Sequence, residues 1–421
     1  MSKLLDKFVA DRVSTVTLPL ITEKQHGFYK GRSTLSNLLE YSSFISDALE
    51  KGYQVDTVYT DFAKAFDRVS HAHLINKLKV WGFSNTIISW FKSFLTERSQ
   101  RVKLAHTLSH AISVHSGGPQ GSHCGPLLFL IFINDIVQYL SNSCCLLFAD
   151  DVKLLRAITS VEDCIKLQQD LNTILIWCEH NSLLLNTDKC HVISFSKKKN
   201  DIIYNYCINS TNISRVNTIS DLGVIFASQF NFKLHLFNIC KNARGMWGFI
   251  RRTCGFFNVH VLKILYVSLV RSILEYSSTV WSPYYNCDVK NLERVQNHFL
   301  RHIEFKMGLV HTVGEYSNIL QILNLQSLEK RRVVSDLYFL YKLLNNNVDS
   351  KYLRNKIEFV TSRSTMNTRS TTIFVIPFKR TNYGYYSPVQ RMIHAGNTFT
   401  HLSWFDLSFG TYKNRVKSLV I

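Results

Sequence analysis

Two short apolar runs, 144–149 and 152–155, are separated by only two residues, and both of these are aspartates. Runs of this length around so short a gap suit a tight β-hairpin. Carboxylates are costly to bury without partners, so at least one of Asp150 and Asp151 projects from the hairpin tip instead of entering the core. A chain with this feature must build a sheet that presents acid at the end of a strand.

Helical and strand patterns alternate around it. Ser33 is an N-cap candidate for a helix carrying Leu35, Leu38, Leu39, Ala48 and Leu49, which Gly52 stops. Residues 55–61 are rich in β-branched and aromatic side chains, and Ser70 caps a following helix through Leu74 and Leu78. Ser84 starts the next, through Ile87, Ile88, Phe91 and Phe94. Val102 and Leu104, followed by Ile112 and Val114, predict a half-buried hairpin. Past Gly117-Gly118-Pro119, Ser122 opens an apolar helix, and 160–163 resembles a capping box for a helix reaching about Cys178. Strand-like stretches follow at 192–195, 202–208 and 222–226. From Phe232 onward the pattern changes to long helical stretches, around 240–252, 261–277, 289–302 and 328–345. A single domain change is therefore placed near 230, dividing the chain into 1–230 and 231–421, although no Pro/Gly/Ser-rich linker marks it.

Charge narrows the partners. Lys and Arg total 49 against 30 Asp and Glu, a formal charge of +19, which nucleic acid or an acidic membrane surface would complement. The longest apolar run, 127–133, stops at Asn134, far short of the ~20 residues that cross a bilayer. Residues 1–11 alternate charged and apolar side chains without a secretory pattern, so an intracellular protein is expected. The ten cysteines lie between Cys124 and Cys287 without Cys-x-x-Cys spacing, and read as reduced, mostly buried small residues. Lys197-Lys198-Lys199 reads as a solvated loop, with a weak nuclear-import signal as the alternative.

Asp61 closes the β-rich run in VYTDFAKAFDRV, where a strand can present its carboxylate at an edge of the sheet. Acids at two strand ends, about 4 Å apart, can ligate two Mg²⁺ ions through hard oxygens, an arrangement suited to nucleotidyl transfer. Taken alone, Asp61, Asp150 and Asp151 read more readily as ordinary turn acids.

Six blocks occur in order: QHGFYKGRST (25–34), VYTDFAKAFDRV (58–69), SGGPQGSHCGPLLFLIFINDI (116–136), LLFADDVKLL (146–155), LNTDKC (185–190) and DLGVIF (221–226). Their succession resembles the fingers and palm motifs of non-LTR, LINE-like retrotransposon reverse transcriptases, and is most similar to the jockey-like branch. The resemblance implies an α+β right-hand polymerase with partial fingers, an antiparallel-sheet palm, and a helical thumb and C-terminal region. It implies RNA-directed DNA polymerisation on an RNA template from a DNA primer, with deoxynucleoside triphosphates and two Mg²⁺ ions, Mn²⁺ being the alternative metal.

Residue by residue, the resemblance makes Asp61 and Asp150 the metal ligands, with Asp151 either beside the site or a plain turn residue. Phe66 matches a bulky residue beneath the incoming sugar, or is simply core. Pro119-Gln120-Gly121 matches a loop that touches the nascent base pair, and Lys189 matches a lysine near the triphosphate, the alternative being a surface cation. Gly31-Arg32-Ser33 falls where template or nucleotide passes the fingers, and Leu222-Gly223 in the hairpin that grips the primer. Helices after 230, including 269–283, are similar to the thumb. Near the C-terminus Arg363, Arg369, Lys379, Arg380 and Arg391, interleaved with Tyr383, Tyr385 and Tyr386, make either a nucleic-acid surface or a solvated face.

Members of that family usually carry upstream fingers segments that hold the triphosphate, and usually an endonuclease before those. Only about two dozen residues precede QHGF. A polymerase part with an incomplete nucleotide grip is therefore expected, working with a separate endonuclease-bearing protein in the nucleus and cytoplasm and with no membrane. The alternative is a remnant that only binds nucleic acid. RNA-templated RNA synthesis fits the blocks poorly.

Overall fold

The aspartate hairpin forms and lies at one side of a five-stranded sheet in a computed structural model that describes residues 2–312, 314–360, 372–399 and 401–420. The strands are β1 (Gln54–Thr60), β2 (Cys144–Phe148), β3 (Asp151–Ile158), β4 (His191–Phe195) and β5 (Ser214–Arg215), in the spatial order β5-β4-β1-β3-β2. β1 is the central strand and pairs antiparallel with both β3 and β4. The expected antiparallel sheet has one exception, since the short edge strand β5 runs parallel to β4.

Two compact units divide the chain. One comprises Met1–Asn37 and Tyr53–Asn217, the other Leu38–Gly52 and Thr218–Ile421. Sequence periodicity draws one line near 230, whereas the units part at 217/218 and a segment from early in the chain belongs with the later one. That difference arises because periodicity reports an element's own exposed and buried faces, not which distant segment covers the buried one.

In the first unit the sheet shares its core with two helices. The helix Cys124–Ile133 is apolar all round, and every residue from Leu127 to Ile133 is buried, as suits an interior helix. The helix Val161–His180 is amphipathic and starts where the Asp163 carboxylate accepts from the Ser160 and Thr159 backbone N–H groups, a cap that satisfies donors the helix cannot. Val58, Val152 and Leu154 of the sheet pack with Leu128, Phe132, Leu167 and Leu171 of these helices. The predicted half-buried hairpin at 102–114 is instead two exposed ribbons, Arg98–Gln100 with Ile112–Val114 and Lys103–Leu104 with Thr107–Leu108. Alternation fixes which residues share a face, but no layer covers the apolar one, and Leu104 is 79% exposed.

The second unit is mostly helical. Its long helices are Lys233–Cys254, Asn286–Lys306, Leu328–Leu344, Pro388–Thr398 and Phe409–Val420. The stretch 261–277 is broken: Val259–Leu265 passes into a π-helical turn at Tyr266–Arg271, and Ser277 turns left-handed at φ 50°. Leu38–Gly52, from the helix Thr34–Glu50, is fastened along its length to residues far away in sequence. Glu40 accepts from Ser350 at 2.6 Å, Asp47 pairs with Lys356 and Lys379, Glu50 accepts from Thr381, and Tyr383 donates to the Leu49 carbonyl. Lys379 and Arg391, expected on a basic surface, thus join internal ion pairs, Arg391 with buried Asp336. Arg380 is exposed, and Arg363 and Arg369 lie outside the described residues.

One buried carboxylate ties β1 to β4 and to Tyr206 beyond the sheet. Asp56 of β1 is inaccessible to solvent and accepts from Gln54 Nε2 (2.8 Å), Ser194 Oγ (2.6 Å) and the Tyr206 hydroxyl (2.8 Å). Three converging donors offset its desolvation, and removing the acceptor strands all three. Asp56→Ala should therefore lower unfolding free energy of this unit by about 3–5 kcal/mol, measurable by denaturant titration. A loss below about 1 kcal/mol would show that the donors find other partners.

Candidate active site

Strand register delivers two acids to the same end of the sheet. The last β1–β3 pair is Thr60 with Val152, and the last β2–β3 pair is Phe148 with Asp151. Asp61 therefore stands one residue past the ladder, beside the two-residue turn Ala149-Asp150. Backbone bonds on both sides pin it there: the Asn186 N–H donates to the Asp61 carbonyl at 2.8 Å, and the Ala63 N–H to the Leu184 carbonyl at 2.8 Å. Lys189, in the short turn Thr187–Lys189, brings its Nζ to 3.4 Å from Asp61 Oδ2. Asp150 is half-buried, and burial, reinforced by the negative charge of Asp61, pushes its carboxyl above the usual carboxylate range despite a backbone hydrogen bond that opposes the shift. Asp151 opens β3 and is exposed.

This donor set suits a hard cation. Among the described residues no group of three or more His, Cys, Asp and Glu side chains is placed to hold a metal. Mg²⁺ keeps several waters and takes one or two carboxylates plus substrate phosphates, which Asp61 and Asp150 can supply; a structural zinc site needs four nitrogen or sulfur ligands. Cys178 and Cys190 are both buried, and burial pushes the Cys178 thiol up to about 12, away from the thiolate a metal would need.

Phe66 borders a cavity of about 330 Å³ also lined by Val69, Leu95, Pro119 and Gln120. Its ring stacks on Phe129 with centroids 4.2 Å apart and meets the edge of Phe28 at 6.1 Å. The ring is thus buttressed from the core and partly exposed on the cavity side. The loop after β-ribbon residue Val114 is fastened to the Phe66 turn: Ser116 Oγ donates to the Asp67 carbonyl, the Gly117 N–H to the Val69 carbonyl, and Gln120 Nε2 to Asp67 Oδ1 at 3.0 Å. A Cβ on Gly117 would come within 2.8 Å of the Asp67 backbone, so this close crossing requires glycine. Gly121 has open space around it but φ 76°, the left-handed region that favours glycine.

Sequence reasoning placed Arg32 near template or nucleotide. Here its Nη1 donates to the Thr22 (2.6 Å) and Gln25 (2.8 Å) carbonyls, and its guanidinium lies 3.8 Å from the Tyr29 ring centroid. The same reasoning missed Asn37 and Lys153. Asn37 Nδ2 donates to the Leu147 carbonyl at 3.0 Å, and Lys153 Nζ, buried in mid-sheet, donates to Asn37 Oδ1 at 2.6 Å. A lysine inside the apolar run 152–155 was the available signal, because a buried ammonium must find an acceptor.

In the second unit, Leu222 and Gly223 form the turn between Thr218–Asp221 and Val224–Ala227. Both have positive φ, 44° and 85°, the geometry of a tight type I′ turn. The Tyr276 hydroxyl donates to the Leu222 carbonyl at 2.9 Å, and a Cβ at Gly223 would meet the Tyr276 ring at 3.0 Å.

Residues 1–226 match the family model "Reverse transcriptase (RNA-dependent DNA polymerase)". The chain is similar to the probable RNA-directed DNA polymerase from transposon BS of Drosophila melanogaster, 24% identical over 72% of this chain and 35% of that protein. It is also similar to the RNA-directed DNA polymerase from mobile element jockey of Drosophila funebris, 28% identical over 58% of this chain and 28% of that protein. It spans about a third of the length of these curated relatives. Apo telomerase from Candida tropicalis aligns with 82% of this chain and 55% of its own, at 11% identity and a TM-score of 0.42.

The strain at Asp150 has a measurable sign. Since its carboxyl is pushed up, the folded chain holds that proton more tightly than the unfolded chain, so stability grows as pH falls through the raised value and shrinks as pH rises. Asp150→Asn should raise the melting temperature of metal-free protein at neutral pH and flatten this part of the pH dependence. A variant that melts below the parent would show that the charge is not under strain.

Proposed function

The chain belongs to the reverse transcriptase (RNA-dependent DNA polymerase) family, and we propose that it extends a DNA primer on an RNA template, as the polymerase of a non-LTR retrotransposon. One observation carries the reading: Asp61 and Asp150, from different strands, meet at one end of the sheet closely enough for the charge of one to act on the other. Two acids brought together from different strands at a half-buried turn suit the holding of a cation. A remnant that only bound nucleic acid would need neither this pair nor the backbone bonds that fix it.

Two Mg²⁺ ions held by Asp61 and Asp150 would supply activation of the primer 3′-hydroxyl and neutralise charge on the deoxynucleoside triphosphate and the leaving pyrophosphate. Lys189 shields Asp61 before substrate arrives and stands ready to donate a proton to pyrophosphate. Asp151, exposed on the next residue, faces the primer end. Phe66, fixed by Phe129, meets the sugar of the incoming nucleotide and leaves no room for a 2′-hydroxyl. Gln120, steadied by Asp67, and Gly121 lie against the nascent base pair. Arg32 holds the loop that carries Gln25 and lies where template or nucleotide passes the fingers. Leu222 and Gly223 grip the primer. Primer ends come from a separate endonuclease-bearing protein, and the work is done in the nucleus and cytoplasm. No helix among the described residues is long and apolar enough to cross a membrane.

Primer extension with purified protein on an RNA template tests this directly. Asp61→Asn and Asp150→Asn should each reduce extension by roughly 10³-fold or more, as losing a transition-state charge contact of several kcal/mol implies, with template binding unchanged. Extension within tenfold of the parent in both variants would overturn the two-metal assignment. Phe66→Val should admit ribonucleotides roughly 10–100-fold more readily in competition with deoxynucleotides, the discrimination that a pocket contact of about 1–3 kcal/mol gives. Unchanged discrimination would leave Phe66 a packing residue.

A further inference from the structure

We propose that Gln25 is a positioning residue that sets the place of Asp150 before any substrate binds, an inference that rests on the reading of Asp150 as a metal-holding acid. The turn itself gives Asp150 little support. The β2–β3 ladder ends at Phe148 and Asp151, so the two residues between them have no cross-strand partners. Ala149 sits at φ 55°, a left-handed conformation unfavourable for a residue with a side chain. It is also buried, so its peptide N–H and carbonyl cannot turn to water.

The Gln25 carboxamide satisfies both. Its Oε1 accepts from the Ala149 N–H at 2.9 Å, and its Nε2 donates to the Ala149 carbonyl at 3.2 Å. The side chain therefore pairs with a single turn residue as a neighbouring strand would, through one donor and one acceptor. A primary amide can do this, whereas a carboxylate has no donor and an asparagine is one methylene short. Oε1 also accepts from the Gly27 N–H at 2.8 Å, which fixes the amide's orientation.

The segment that carries Gln25 is itself locked onto the β2 edge of the hairpin. The His26 N–H donates to the Leu147 carbonyl and the Leu147 N–H to the Lys24 carbonyl, both at 2.9 Å. Arg32 holds the Gln25 carbonyl from outside. Gly27 passes so close that a Cβ there would lie 2.3 Å from the Ala149 nitrogen. Gln25 is 1% exposed, so it has no access to template or nucleotide and acts only through the turn. Its part is to hold the turn that carries Asp150 in place when no cation is present.

The test compares the parent with Gln25→Ala and with Gln25→Glu, which keeps size and the acceptor but sets an oxygen against the Ala149 carbonyl. Hydrogen–deuterium exchange of peptides spanning 145–152 in metal-free protein should quicken by roughly tenfold or more in both variants, with peptides of β1 and β4 unchanged. In primer extension kcat should fall roughly 10–100-fold, as for partners that orient metal ligands. The Mg²⁺ concentration for half-maximal rate should rise, and KM for the nucleotide should stay within about twofold because Gln25 does not touch substrate. Should Gln25→Ala fail to fold, Gln25→Glu is read alone. Parent-like exchange, or quickened exchange with parent-like kcat and Mg²⁺ dependence, would overturn the proposal. Full activity in Asp150→Asn would instead overturn the reading of Asp150, and the exchange result would still stand or fall on its own.

Discussion

A half-buried carboxylate, Asp150, set beside a second, Asp61, at the end of two strands organises this end of the sheet. Left to itself, such a pair separates or takes up a proton, and a mobile turn would let it do either. The chain prevents separation by spending backbone hydrogen bonds on both members. Asp61 is flanked by bonds to the 184–186 segment, and the Ala149-Asp150 turn is bracketed by the 24–27 segment. Lys189 supplies a partly compensating charge but remains 65% exposed, so it screens weakly and can move aside. The outcome is a fixed acidic end of the sheet, built where a turn and a strand end coincide.

Much of this was legible in the sequence because it is local. Two apolar runs with a two-residue gap leave a chain few options besides a hairpin, and β2 and β3 form with the acids at the tip. The Gly52 stop and the Ser160–Asp163 cap are likewise readable from neighbours in sequence. Asp61 was readable as a strand-end residue, and its meeting with Asp150 came from the order of motif blocks. The supports were not legible. Gln25 and Ala149 are separated by 124 residues and Lys153 and Asn37 by 116, and no periodicity encodes such pairings. The resemblance put Arg32 where template or nucleotide passes, while the fold uses its geometry to gather two carbonyls. The exposed 98–114 ribbons were misjudged because alternation shows which residues could be covered, not whether anything covers them.

The second unit obeys a similar rule at its own turn. Leu222 adopts an unfavourable φ for a branched side chain, and the tyrosine hydroxyl of Tyr276 takes up the carbonyl that the turn leaves over. At both turns a residue with a Cβ is held left-handed by a polar side chain from elsewhere. Both belong to motif blocks, so strain and motif coincide, as is common where a backbone must be set for ligand contact.

The segment Leu38–Gly52 has a consequence for how such a chain comes into being on the ribosome. Its polar partners, from Ser350 to Tyr383, are translated long after it, the Glu40–Ser350 bond spanning 310 residues and the Leu49–Tyr383 bond 334. At ~5–20 residues per second, this stretch waits about 15–60 s with Glu40, Asp47 and Glu50 uncompensated and its apolar face uncovered. The first unit can fold during that interval, since all its segments have by then emerged. The second cannot close until residues as far as Tyr383 have been made. An interrupted or prematurely ended translation product would therefore carry a folded sheet and a dangling amphipathic helix, a combination that chaperones and proteases recognise.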